Sequence, residues 1–204
     1  MYWILFIGNI LVVAGHILWS SKIGFFNLDK EMNLASAWTG LQLLGAGFVF
    51  GLYGYLRNLR LWQILSLGFL FLGFDEIMFF HERIGFFLNK YLSLTGYYGE
   101  SFNWLIYFSP FIIVAILVLF RISQNLFRQG SRYFKFFISG VILFIISLSL
   151  ELIGAKILLT ENFDPGHGIY FRVLIFEEFS EMLGSSMFLI AGLKLVKNIL
   201  AVDK

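Results

Sequence analysis

The chain lacks cysteine entirely and contains only two prolines in 204 residues. The absence of cysteine excludes disulfide bonds and thiolate metal ligands. Charged residues are scarce as well: they make up 14% of the chain, against about 25% in soluble globular domains. The net charge is +2, with no dense basic run, so we expect no nucleic-acid partner.

Hydrophobic residues make up 59% of the chain, and phenylalanine alone occurs 26 times. Such a surface needs lipid around it, so we expect the bilayer to be a partner. Because a helix needs about 20 apolar residues to cross the hydrocarbon core, the sequence predicts an all-α membrane bundle of about six transmembrane helices, forming one domain over residues 1–204. The predicted spans are Tyr2–Trp19, Ala35–Leu56, Leu61–Leu88, Trp104–Phe120, Phe134–Leu159 and Tyr170–Leu195.

The first twenty residues lack a basic region before a long apolar run, which favours a retained span over a cleaved signal peptide. With six spans, both termini lie on one side of the membrane. That side carries nine Lys and Arg residues, against six on the other side, and this excess predicts cytoplasmic termini. Abundant phenylalanine and the lack of cysteine are typical of a bacterial inner membrane. The nine are Arg57, Arg60, Arg121, Arg128, Arg132, Lys135, Lys194, Lys197 and Lys204.

Glycines recur at helical spacing in the second span. Gly47 and Gly51 form a GxxxG pair, which lets two helices approach closely. We interpret this face as ordinary packing within the bundle, with dimerisation as the alternative. Gly184, Ser185 and Ser186 in the sixth span are expected to pack in the same way.

Seven of the 13 acidic residues fall inside the predicted spans. Each charge near the bilayer centre costs about 2.5–3.5 kcal/mol on insertion scales, so these side chains are expected to face the bundle interior or a wet cavity. Counting 1.5 Å per residue from the helix ends places the acids of the third, fifth and sixth spans at a similar depth. The seven are Asp75, Glu76, Glu82, Glu151, Glu177, Glu178 and Glu181.

Positive partners are too few at that depth to neutralise the acids. Either some carboxyl groups are protonated, or a divalent metal ion binds among them, and the crowding of carboxylates favours the metal. Oxygen ligands with one or two imidazoles suit Mg, Mn, Fe or Zn, and Ca where oxygens dominate. The predicted metal ligands are Asp75, Glu76, His81, Glu82, Glu151, Glu177, Glu178 and Glu181.

Helical phase refines this set. Asp75 and Glu82 are seven residues apart and are expected to share one helix face. His81 is expected to lie off that face, either as a ligand at the edge of the acids or as a hydrogen-bond partner of a neighbour. His16 is alone on an apolar span, where a hydrogen-bonded packing role is the expectation. His167, within Asp164-Pro165-Gly166-His167-Gly168, indicates a turn.

Standard catalytic motifs do not fit. His81-Glu82-Arg83-Ile84-Gly85 begins like HExxH but lacks the second histidine. The Glu-x-x-His pairs of ferritin-like di-iron bundles are missing, and Glu178 and Glu181 form Glu-x-x-Glu instead. The sequence therefore names no catalytic residue.

The stretch from Phe74 to Glu82 resembles the DE-x4-HE stretch of a group of bacterial polytopic membrane proteins of no assigned activity. The mid-helix Glu151 and the stretch from Glu177 to Gly184 are similar to that group's later Glu and EExxEMxG pattern. The resemblance covers roughly residues 65 to 190. It implies a shared six-helix bundle and supports the idea that these acids act as one unit.

Three functions remain open. The first is an intramembrane metal-binding protein, including a metal-dependent enzyme that acts on a lipid or other small apolar substrate. The second is a cation or proton-coupled transporter whose ion site is the same set of acids; the echo of Phe74-Asp75-Glu76 in Phe176-Glu177-Glu178 is typical of inverted repeats. The third is a non-catalytic subunit or sensor, in which the acids specify helix packing.

Overall fold

The computed structural model describes residues 2–30, 32–92, 104–128, 130–131, 133–160 and 168–202. Across these ranges the regular structure is entirely helical, which confirms the all-α prediction. A single 3₁₀ turn lies at Gly24–Phe26 between the first two α-helices. The helices are α1 (Trp3–Trp19), α2 (Leu34–Leu56), α3 (Arg60–Met78), α4 (Phe80–Leu92), α5 (Trp104–Arg128), α6 (Phe134–Thr160) and α7 (Gly168–Val202).

By length and composition, α2, α3, α5, α6 and α7 can each cross a membrane, and α1 is a shorter apolar helix of 17 residues. These six helices agree with the expectation of about six spans. Large apolar side chains such as Trp3, Phe48 and Phe111 are more than two-thirds exposed, as expected where lipid rather than water surrounds the helices.

The third predicted span is wrong in one respect, because it is not one continuous helix to Leu88. Helix α3 ends at Met78, and Phe79 adopts the left-handed conformation with φ 55° and ψ 42°. For a non-glycine residue this conformation costs about 1–2 kcal/mol. The Phe79 side chain is buried, and this burial offsets the local strain. Helix α4 then starts at Phe80.

Helices α2, α3 and α7 form the best-packed part of the bundle, with α6 packed along α7. Glycine makes the α2–α3 approach possible: a Cβ on Gly47 would lie 2.9 Å from the Leu70 backbone nitrogen, and one on Gly73 would lie 2.8 Å from the Leu44 nitrogen. The GxxxG face of α2 is therefore used within the chain, as the packing interpretation predicted. Gly184 likewise faces Phe144 of α6.

A neutral hydrogen-bond network joins α1, α2 and α7. The fully buried Asn9 accepts from Trp38 Nε1 at 2.7 Å and from Gln42 Nε2 at 3.2 Å, and its own amide donates to Ser186 Oγ at 3.1 Å. Ser186 Oγ lies 2.5 Å from Gln42 Oε1. We call Asn9, Trp38, Gln42 and Ser186 the amide network. It fixes α1 against the rest of the bundle without any charged group.

The connection between α1 and α2 is also held by polar side chains. His16 Nδ1 lies 3.2 Å from both the Phe26 carbonyl oxygen and the Leu28 amide nitrogen, and the imidazole stacks on Phe171 at 5.0 Å between ring centroids. Asn33 caps α2 by accepting from the Ser36 amide at 2.9 Å. His16 therefore packs and hydrogen-bonds through Nδ1, as was expected, while its buried Nε2 has no hydrogen-bond partner among the described residues.

Candidate intramembrane carboxylate–histidine site

Asp75 lies at the break between α3 and α4 and joins the two helices. Its backbone carbonyl accepts from the Phe79 amide at 2.6 Å, while its side-chain Oδ1 accepts from the His81 amide at 2.8 Å. The first amides of a helix have no partner within that helix, so the carboxylate caps the start of α4. Asp75 is 7% exposed, so most of this cap is shielded from solvent.

The same carboxylate also holds the His81 ring. Asp75 Oδ2 lies 2.6 Å from His81 Nδ1. The expectation that His81 lies off the Asp75 face was therefore wrong, because helical phase does not carry across the left-handed Phe79. The shared face predicted for Asp75 and Glu82 loses its basis for the same reason.

Trp104 connects His81 to the next acid. Its ring lies 4.4 Å from the His81 ring between centroids, and its Nε1 donates to Glu151 Oε1 at 3.0 Å. Gly85 permits this approach, because a Cβ there would lie 2.9 Å from the Trp104 Cβ. Contacts from Asp75 through His81 and Trp104 to Glu151 thus link α3, α4, α5 and α6.

The α7 carboxylates interact electrostatically with those of the neighbouring helices. Glu178 interacts with Glu181 and Glu151. Glu177 interacts with Glu151 as well as with its own α7 neighbours. Its carboxyl group faces α6, where a Cβ on Gly154 would lie 3.9 Å from Glu177 Oε2.

The α3 and α4 side chains belong to the same electrostatic group. Glu76 interacts with Glu181, Glu178, Asp75 and Glu151. Glu181 also interacts with His81, its one favourable interaction in this group, and with Asp75. Because most of these interactions are between like charges, the arrangement needs protons or a cation to be stable at neutral pH.

Among the described acids, Glu178 has a buried carboxylate oxygen without a hydrogen bond. Its Oε2 is shielded from solvent and has no hydrogen-bond partner among the described residues. Leaving a buried carboxylate oxygen unpaired costs free energy. Such an atom is consequently the first place to look for a bound ion.

Among the described side chains, no group of three or more His, Asp or Glu residues is already placed to hold a metal ion. The side chain of Glu82, a predicted ligand, lies outside the described part of the structure, as does the predicted turn around His167. The eight predicted ligands therefore fall into Asp75 and His81 in direct contact, five further acids that interact electrostatically, and Glu82.

Trp104 and the amide network are polar features that the sequence reasoning missed. An indole at the start of an apolar span looks like an ordinary interfacial aromatic residue. Asn9 and Gln42 are amide side chains within apolar stretches, so the sequence did contain a signal for this network. Their partners could not be found without knowing which helices are neighbours.

Comparison with known proteins supplies a family but no activity. The family model described as a domain of unknown function (DUF8692) matches residues 4–195. No curated protein and no solved structure matches the chain.

Proposed function

Because the chain belongs to the DUF8692 family, whose description names no activity, we propose a function from its side chains: it is a membrane protein that binds a divalent metal ion among the carboxylates of α3, α6 and α7 and the imidazole of α4. The observation that carries the proposal is the buried, unpartnered Oε2 of Glu178 within a group of mutually repelling acids. A divalent cation would offset the repulsion between the carboxylates and would supply the contact that Glu178 Oε2 lacks.

The hydrogen bonds around the acids support a metal more specifically. Metal-bound histidines usually hydrogen-bond a carboxylate through the second ring nitrogen, which fixes the ring. Asp75 occupies this position at Nδ1, so the metal would be bound through His81 Nε2. Trp104 holds Glu151 in a comparable way. Asp75 is thus reassigned from a ligand to the residue that orients His81.

The ligands proposed from the described residues are His81, Glu76, Glu178 and Glu181. Because no complete ligand set is present among the described residues, the glutamate side chains would have to converge further for a metal to bind. A metal held there would polarise a carbonyl or phosphoryl oxygen of a substrate entering from the bilayer, which is the enzymatic form of the proposal.

Elemental analysis of purified protein tests the proposal. Wild-type protein is expected to contain close to one equivalent of a divalent metal, and Glu178→Gln is expected to lose it. Asp29→Asn is the matched control, because it removes a carboxylate that is not a proposed ligand and keeps a side-chain oxygen that can accept from Tyr170 Oη. Metal-free wild-type protein that binds none of Mg, Mn, Fe, Zn or Ca on titration would overturn the proposal.

A second function, a cation or proton-coupled transporter, is favoured by one specific observation. The α3–α4 helix is interrupted at Phe79 directly beside Asp75, and discontinuous membrane helices are typical of ion sites in secondary transporters. Flux of protons or divalent cations into liposomes that Glu178→Gln abolishes would establish transport. Metal retention without flux would rule out transport and would leave metal binding as the supported function.

A further inference from the structure

Charge is distributed very unevenly between the ends of the bundle. One end is formed by the α2–α3 connection, the α5–α6 connection and the end of α7, and we call it the basic end. In sequence, these connections and the two helical turns on either side of them carry, with the end of α7, the nine Lys and Arg residues given above and one acid, Asp203. An asymmetry of this size attracts anions to the basic end.

A cavity of about 570 Å³ lies at the basic end, where all three segments contribute to its wall. Arg57 comes from the α2–α3 connection, Ser131 and Tyr133 from the α5–α6 connection, and Asn198 from α7; Tyr53 lies one turn before Arg57. Tyr53 also interacts electrostatically with Arg57 and Tyr133. The cavity thus brings a guanidinium group, hydroxyl groups and an amide to one place.

The remaining lining residues favour a lipid headgroup over a free anion as the ligand. The aliphatic side chains of Leu59, Leu195 and Ile199 complete the wall, and no carboxylate belongs to the lining among the described residues. Phosphate oxygens match Arg and hydroxyl donors, whereas the aliphatic part suits a glycerol backbone and the first methylenes of an acyl chain. Basic pockets between membrane helices bind anionic headgroups in this way.

We propose that this cavity is a binding site for the phosphate headgroup of an anionic phospholipid, with Arg57 as its main anchor. The site is independent of the acids of α3, α6 and α7, and it stands whether or not a metal binds there. Arg57 donates to the phosphate, Tyr133 and Asn198 contact the headgroup, and the aliphatic wall holds the glycerol end.

Native mass spectrometry of the detergent-solubilised chain tests the site. Phosphatidylglycerol is expected to bind with one tight equivalent and phosphatidylcholine more weakly. Arg57→Gln is expected to weaken phosphatidylglycerol binding about five-fold, as for loss of one cation beside the headgroup. Arg128→Gln is the matched control, since it removes an exposed cation of the same end that does not line the cavity. Tyr133→Phe tests the site with less risk to folding.

Three results would overturn the proposal. One is equal weakening by Arg57→Gln and Arg128→Gln, which would show diffuse attraction rather than a site. Another is full displacement of phosphatidylglycerol by inorganic phosphate, which would assign the cavity to a free anion. The third is unchanged affinity in Tyr133→Phe together with unchanged affinity in a folded Arg57→Gln protein.

Discussion

Two polar groups lie within this bundle, and they differ in how completely their atoms are paired. The amide network contains only neutral groups, and its buried donors and acceptors match one another at 2.5 to 3.2 Å. The acids around Glu178 repel one another and leave a shielded oxygen unpaired. A complete neutral network needs nothing further, which is typical of a structural role. An anionic group with an unpaired buried oxygen needs protons or a cation, and the proposed metal site rests on this difference.

Among the tests of this comparison, substitution of His81 is expected to have the largest effect on metal affinity. His81→Ala removes the imidazole that the described residues bring to the acidic group, so metal affinity is expected to fall more than about 100-fold, beyond the range for loss of an outer-shell partner. Isothermal titration of metal-stripped protein would measure it. His16→Gln, at the other buried imidazole, is the control and is expected to leave metal affinity unchanged.

The next effect concerns the residue that orients His81. Asp75→Asn keeps the size of the side chain but weakens its contact with His81 Nδ1. Metal affinity is expected to fall about 10- to 100-fold, with the metal still bound at saturation. A complete loss of metal would instead make Asp75 a direct ligand. Unchanged affinity would remove Asp75 from the site.

A third effect tests the packing that places α3, and with it Asp75, against α2. Gly73→Ala puts a Cβ 2.8 Å from the Leu44 nitrogen and 2.9 Å from the Gly40 carbonyl oxygen. We expect a loss of about 1–3 kcal/mol in unfolding free energy, measured by thermal unfolding in detergent. Gly68→Ala, which has nothing within 4 Å, is the control and is expected to be neutral or stabilising by up to about 1 kcal/mol.

The smallest effect is expected in the amide network. Asn9→Leu removes the three side-chain hydrogen bonds of Asn9. Polar contacts between membrane helices are worth about 0.6–2 kcal/mol. A double-mutant cycle with Ser186→Ala would isolate the Asn9–Ser186 term. Metal content is expected to stay at the wild-type level. If Asn9→Leu releases metal, the two polar groups are not independent.

The sequence predicted most of the helices because long apolar runs specify spans directly. It also selected acids on α3, α6 and α7 that interact electrostatically with one another, while their role as metal ligands stays a prediction. It failed at Phe79, because the left-handed conformation there depends on burial and on the Asp75 cap rather than on any glycine or proline in the local sequence. Once the helix was taken as continuous, the phase of His81 was misplaced as well.

Tertiary contacts account for what else was missed. Trp104 reaches Glu151 across 47 positions of sequence, and Asn9 reaches Ser186 across 177. Neither pair has a spacing that periodicity detects. The DUF8692 match agrees with membership of a group without an assigned activity, while cytoplasmic termini and a bacterial inner membrane stay predictions.

Anomalous X-ray diffraction from crystals grown with Mn²⁺ tests the central claim most directly. The account predicts one anomalous peak within about 2.0–2.3 Å of His81 Nε2 and of carboxylate oxygens from α7, including Glu178. Crystals that hold ordered density for these side chains but no peak among them, at saturating Mn²⁺, would contradict it.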